Sequence, residues 1–462
     1  MPLTRTVPSA RFCEIRPCRR ATRRVLFNLT EVKEVMWSTR SFRLVSLIMI
    51  AVIMIGACAP AAPSGTVSFM VSGDPAELKA YQSLVAAFEQ KNPSIKVELI
   101  HIPSSGDYST RLGADFAANT PANVVMINYR RYAGFAAKGV LEPIGSYLAK
   151  STVIKEGDFY SEAVEAFRWQ GNLVCLPMNV SSLIVYYNKS LFDAAGVPYP
   201  KPDWTWDDFL ATAQALTKDT NGDGTPDQYG LGTEASLIRV APFIWQNGGD
   251  LTSTPATTRL TVDTAAAKAA IQWFVDLQAK YHVVPDAAAE KSESSEDRFI
   301  NGRLGMFLDS RRVTPTFRES AKFDWDVAAM PNHELGPATI LHSDGYCMTK
   351  ATQNKDAAWK FIEFANSSEG QSIVSGTGRL VPSLKAVAQS SAFLDPNAKP
   401  KNSQAWIDAI PSIRAVPIMK KWADVEDVFG AELERAFYQG ATVDDVVKAI
   451  VDRTQVFMGE KE

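Results

Sequence analysis

In the segment DTNGDGTPDQYG (219–230), Asp219, Asn221, Asp223 and Asp227 stand at positions one, three, five and nine, with Gly224 at six. This is the spacing with which a calcium loop presents oxygen ligands around a tight glycine turn. Position twelve, where such a loop supplies a bidentate glutamate, is Gly230, and Glu234 lies just beyond it. The same residue types also build metal-free Asx and glycine turns, so a structural calcium ion and a plain turn both remain open.

Covalent catalysis is poorly provided for. The four histidines, His101, His282, His333 and His342, lie in no nucleophile-elbow or zinc-ligand motif, and no phosphate-binding loop or dinucleotide fingerprint occurs. A carboxylate pair for glycoside hydrolysis is defined by separation in space and leaves no fixed sequence trace, so a secreted glycan-acting hydrolase stands as an alternative. Of the five cysteines, Cys175 and Cys347 sit in apolar, strand-like runs, where they either pair in an oxidising compartment or remain separate buried thiols.

The elements that must position these groups alternate in type. VSFMVS (67–72) has strand character, and helical spacing follows through Leu78, Tyr81, Leu84, Val85 and Phe88. Asn92-Pro93 stops that helix and IKVELIHI (95–102) returns to a strand. A helical stretch over 111–118, a buried strand NVVMINY and a short helix over 132–138 repeat the pattern. Further helices are predicted over 206–218, 264–281, 355–366, 424–437 and 442–457. Strand and helix in alternation predict an α/β sheet covered by helices.

Arg40 and Arg43 precede LVSLIMIAVIMIGA (44–57), a run of fourteen mostly apolar residues. A spanning helix needs about twenty, so this reads as an export signal. Its end, Ile55-Gly56-Ala57-Cys58, resembles a bacterial lipobox, which implies cleavage before Cys58 and diacylation of that cysteine. Residues 1–35, polar and arginine-rich, fit no export signal. Met36 is therefore read as the initiator, 1–35 as an untranslated extension, 36–57 as signal peptide and 58–66 as a tether. Ten of the 48 basic and three of the 51 acidic residues precede Cys58, which leaves the remainder with a net charge of −10. Such a chain offers no basic stripe for nucleic acid. About 400 residues exceed one ordinary core, so two domains are expected.

Taken in order, VSFMVSGD, NPSIKVELI, NVVMINYRRYAGFAAKGVLEPI, CLPMNVSSLIVYYNKSLFDAAGV, TWDDFLATAQALT, NGRLGMFLDS and TVDDVVKAIVDRTQ resemble the extracellular solute-binding proteins of carbohydrate ABC importers, of the maltose-binding type. The resemblance implies an α/β, two-lobed periplasmic-binding-protein fold of type II, with lobe 1 at 67–178 and 313–372 and lobe 2 at 179–312 and 373–462. Crossings between lobes would fall near 177–181, 309–325 and 370–376. Ligand would sit in the interlobe cleft and be enclosed by hinge closure. The implied protein is a monomer and no enzyme. It is held at the membrane by the lipid on Cys58, and it passes a sugar or oligosaccharide to permease subunits. Service to a chemoreceptor or sensor is a further alternative on the same fold.

Carried over position by position, the resemblance implies ligand contacts from Gly73 and Asp74 at the end of the first strand, from Tyr108, and from Asn128, Tyr129 and Arg130 at the end of the third. Asn179, Trp245 and Asn247 follow, the tryptophan offering a flat face to the C–H side of a sugar ring. Asp309, Arg311 and Arg312 occupy a loop where relatives often carry an aromatic residue; two guanidiniums there open the option of an acidic sugar, because arginine clamps carboxylate or phosphate in bidentate fashion. Tyr346, Arg379 and Trp422 complete the set, with Trp422 the preferred stacking residue.

Overall fold

The computed structural model describes residues 63–253 and 258–458. Cys58, the export signal and the proposed start at Met36 lie outside the described residues. Among those described, no helix is long and apolar enough to cross a membrane.

The chain opens with β1 (Gly65–Ser72), α1 (Pro75–Lys91), β2 (Ile95–Ile102), β3 (Val124–Asn128) and α2 (Tyr129–Ala137). Next come β4 (Cys175–Pro177), β5 (Ile184–Asn188), β6 (Tyr229–Gly232), α3 (Leu237–Gln246) and α4 (Ala265–Ala279). Then follow β7 (Leu304–Asp309), α5 (Thr314–Ser320), β8 (Trp325–Ala328), β9 (Asp344–Met348), α6 (Ser368–Gly376) and α7 (Trp422–Gln439). The helices predicted over 264–281 and 424–437 form as α4 and α7.

Two principal sheets result. The first runs β2-β1-β3-β9-β4, and the second β8-β5-β7-β6. In the first, β1 pairs in parallel with β2 from Gly65↔Ile95 to Ser72↔Ile102 and with β3 at Phe69↔Val124, while β9 returns antiparallel against both β3 and β4. Parallel strands buried on both faces demand continuous apolar runs, and Val67, Phe69, Met70, Val71, Val124 and Val125 are all fully buried. In the second sheet β7 pairs in parallel with β6 and antiparallel with β5. This is the mixed α/β architecture that the resemblance implies.

The chain passes from the first sheet to the second after Pro177, and returns through Thr339–His342, which pairs with Ser181–Ser182 and Ile413–Arg414 in a small third sheet. Two expected boundaries therefore move. The stretch 313–328, expected with lobe 1, ends in β8, which is hydrogen-bonded to β5 of the second sheet. The second crossing thus follows β8 and does not lie at 309–325. Residues 370–376, expected as the third crossing, are the body of α6; the strap that follows bonds to the first crossing, Val180 N donating to Val381 O over 3.0 Å.

Register also settles the cysteines. Cys347 on β9 lies directly opposite Cys175 on β4, Cα to Cα 4.4 Å, and the two form a fully buried disulfide.

Candidate functional site

The polar residues that the sequence places at strand ends do converge. Parallel strands share a direction, so their carboxyl ends open on one side, the usual place for a ligand crevice in an α/β sheet. Gly73-Asp74 follow directly on β1 and Asn128 ends β3 in the first sheet; β7 ends at Asp309 in the second.

Asp74 works at two tasks. Its Oδ1 accepts from the backbone N–H groups of Ala76 and Glu77, both at 2.8 Å, capping α1, while its Oδ2 accepts from the Thr316 hydroxyl of α5. Glu77 closes the capping box by accepting from Asp74 N at 3.0 Å. Gly73, at φ +141°, has no room for a side chain, since a Cβ would meet Glu77 at 2.7–2.9 Å. Glu77 is buried and ion-paired to Arg379, whose Nη2 also lies 3.7 Å from Asp344 Oδ2. Burial pushes the Glu77 carboxyl up, opposed first by Arg379 and then by Arg312.

From the second sheet, Asp309 is 1% exposed and receives Arg312 Nη2 at 2.8 Å and Arg239 Nη2 at 3.2 Å. Burial would raise its pKa, but the two guanidiniums together with the Ser310 backbone N–H outweigh that and hold the carboxyl below its usual range. Arg312 also binds Glu296 at 3.0 Å. Burial pushes the Glu296 carboxyl up against the pull of Arg312. Arg239 leaves Nε and Nη1 buried without a hydrogen-bond acceptor, although Nε lies 3.3 Å from Glu234 Oε1.

Between the two groups stands the return crossing. Asn128 Nδ2 donates to Asp344 at 3.0 Å, and its Oδ1 accepts from the Arg130 N–H and Nε. Arg130 pairs with Glu426 of α7 at 2.6 Å. His342 has a buried, unpaired Nε2; burial and then the Arg130 and Arg239 charges push its pKa down to about 3, so the ring is neutral at physiological pH. Asp74, Asn128, Arg130, Asp309, Arg312 and Arg379 are thus joined in one cluster. Sequence reasoning missed Glu77, Arg239, Glu296, His342, Asp344 and Glu426. Of these only Glu77 had a local signal, three residues after the N-cap Asp74, and that signal spoke of capping.

Several expected ligand residues do other work. Tyr108 is buried and donates to Met126 O at 2.6 Å. Tyr129, fully buried, accepts from Val416 N, and Tyr346 packs on Phe69 and Phe361 in the core. Asn179 ties the crossings together through Asp344 N at 2.7 Å and His342 O at 3.1 Å. Asn247 caps α3 and donates to Ala266 O. Trp245 is 5% exposed, its indole bonded to Asp250 and its ring covered by the Arg414 guanidinium at 4.8 Å. Trp422 has no exposed surface and donates to Glu426 at 2.8 Å, so it supports the ion pair from behind and cannot stack on a sugar.

Arg311 is corrected most sharply. Its guanidinium is 1% exposed and lies between the Phe393 and Trp406 rings, 4.7 and 4.5 Å from their centroids, donating to Gly378 O and Ser403 Oγ. Burial pushes its pKa down to about 9, which still leaves it cationic at neutral pH. It pins the strap after α6 to the second sheet and is no clamp for a ligand.

In the 219–230 loop, Asp219 accepts from the backbone N–H groups of Gly222, Asp223 and Gly224, Asp223 from Thr225 N, and Asp227 from Thr220. These are Asx turns, and among the described residues no group of three or more His, Cys, Asp or Glu is arranged to hold a metal ion.

Known proteins resemble this chain along most of its length. A putative binding protein of Brucella abortus is 24% identical over 407 residues, 87% of this chain and 95% of the relative. Among solved structures, an ABC substrate-binding protein of Listeria monocytogenes in complex with cycloalternan superimposes with a TM-score of 0.79 at 27% identity, covering 86% of this chain and all of that one. A glycerophosphocholine complex of UgpB from Mycobacterium tuberculosis shares the fold, with a TM-score of 0.74 at 22% identity over 85% of this chain and 98% of that one. Residues 72–372 match the family profile described as bacterial extracellular solute-binding protein, and with well over half its length so matched this chain belongs to that family.

Proposed function

We propose that the protein captures a carbohydrate between the strand ends of its two sheets and delivers it to the membrane subunits of an ABC importer, performing no covalent chemistry itself. The observation that carries this reading is the cluster around Arg379, Glu77, Arg312 and Asp309, where charged groups from both sheets stand together with the buried Nη1 of Arg239 unused. Sugar hydroxyls donate and accept, so they engage carboxylates and guanidiniums at once. A ligand touching groups from both sheets favours the closed arrangement by its differential affinity for it. The cycloalternan complex of the Listeria protein supports a sugar as the ligand class.

A thermal-shift screen over mono- to oligosaccharides tests this. A ligand at about a hundred times its Kd is expected to add about 2.7 kcal/mol to stability. The absence of any stabilising sugar would remove the reading.

Delivery to a permease asks for residence at the membrane. The lipobox-like Ile55-Gly56-Ala57-Cys58 supports diacylation of Cys58, with the protein on the outer side of the membrane. Two acyl chains give stable anchoring where one gives only reversible binding. Expression in a bacterial host is expected to yield membrane-bound protein carrying two acyl chains on Cys58, seen by mass spectrometry, and Cys58→Ser is expected to abolish the modification. An unmodified Cys58 in the wild type would exclude the anchor.

A further inference from the structure

We infer that the site admits neutral, hydroxyl-rich sugars and rejects their anionic counterparts, with its carboxylates acting as the filter. This rests on the carbohydrate-binding reading above and adds the charge class of the ligand.

The arginines that make an acidic sugar attractive from sequence alone are already engaged. Arg311 is enclosed between two rings, and Arg312 faces both Asp309 and Glu296. Arg130 faces Glu426, and Arg379 faces Glu77 with Asp344 beyond it. With Arg239, four guanidiniums meet seven carboxylates, Asp74 and Glu234 included, so acid is in excess by three. Nor are these isolated pairs. Glu77 feels Arg379, Arg312 and Asp74, and Glu296 feels Arg312, Asp309 and Asp74, so they share one field.

An anion entering this field meets the excess carboxylates wherever it sits, and outside the free Nη1 of Arg239 it must win an arginine from one of them. Success leaves a buried acid without its partner, which costs more than the pair was worth. The anionic group of a uronate or phosphate also has no hydrogen to give where the parent sugar has a hydroxyl, and ionised carboxylates accept only. A neutral hydroxyl meets none of these objections. Its oxygen accepts from the unused, buried Nη1 of Arg239, itself 6% exposed, while its hydrogen goes to a carboxylate oxygen. His342 contributes a neutral ring with a free Nε2 at the same place, and so adds no positive charge to attract an anion. Rejection built from like charge is a familiar route to specificity.

The test sets neutral mono- to trisaccharides against their uronates and 6-phosphates, with sn-glycerol 3-phosphate added, in thermal-shift screening followed by calorimetry. Stabilisation is expected from neutral members only, with the uronate of the best neutral sugar bound at least about tenfold more weakly. Glu296→Gln removes one charge at a partly exposed position and is expected to narrow that ratio by about threefold or more. An anionic sugar bound as tightly as its neutral counterpart, or tighter, overturns the inference while leaving sugar binding intact. A ratio unchanged in Glu296→Gln assigns the rejection to shape and also overturns it. If neither set binds, the carbohydrate reading falls and this inference falls with it.

Discussion

Breaking the Cys175–Cys347 bond is expected to lower the stability of the folded protein by about 3–5 kcal/mol. The disulfide closes a loop of 172 residues, and the chain-entropy estimate for a loop of that size is about 5 kcal/mol. Structure retained in the reduced chain brings the observed value below that limit. The bond joins β4 to β9, so the loop it closes contains the whole second sheet. Opening it frees the unfolded chain along both crossings between the sheets. Cys175→Ala/Cys347→Ala, compared with wild type in denaturant titrations without reductant, measures the effect without placing unpaired hydroxyls in the core. A change below about 1 kcal/mol would show that the cross-link adds little to the packing around it. Such a bond needs an oxidising compartment to form, which fits a chain whose first apolar run reads as an export signal.

The pairing also shows what local sequence can and cannot convey. Strand and helix alternation, the stop at Asn92-Pro93 and the apolar runs of β1 and β3 carry the α/β architecture, because each is a local pattern with one physical reading. That Cys347 faces Cys175 is a matter of register across a gap of 172 residues, and no local pattern holds it. The site divides along similar lines. Polar residues at strand ends were legible: a charge following an apolar run has few places to go except the open end of the sheet, and Asp74, Asp309 and Arg312 are there. Aromatic residues were not. Trp245 and Trp422 suit a core as well as a sugar face, and the decision lies with what opposes the ring, here Arg414 over Trp245 and complete enclosure of Trp422. Arg311 misled for a related reason: an arginine stacked between two aromatic rings has the same one-letter spelling as an arginine waiting for an anion.

Arg379→Met is expected to destabilise the protein by about 3–5 kcal/mol. Both side chains of the Arg379–Glu77 pair are 7% exposed, and methionine retains most of the apolar stem while removing the charge. The cost arises mainly at Glu77. Burial already pushes its carboxyl up, and Arg379 is the largest force opposing that rise. Arg312, next in order, remains in the variant and keeps the loss from reaching that of an isolated buried charge. With Arg379 gone the folded-state pKa of Glu77 rises further above the unfolded value. The folded variant therefore binds a proton more readily than the unfolded chain, and its deficit relative to wild type is expected to shrink as pH falls toward that raised pKa. Glu77→Gln in the same background tests the assignment. Glutamine still completes the capping box with Asp74 but leaves no charge to strand, so the double variant is expected to recover about 1–3 kcal/mol of the loss. If the double variant is as unstable as the sum of the two single changes, the ion pair is not what holds this junction. A recovery ties the fold's stability to the buried Glu77 carboxylate and shows that its pairing with Arg379 is part of what keeps the strap after α6 seated on α1.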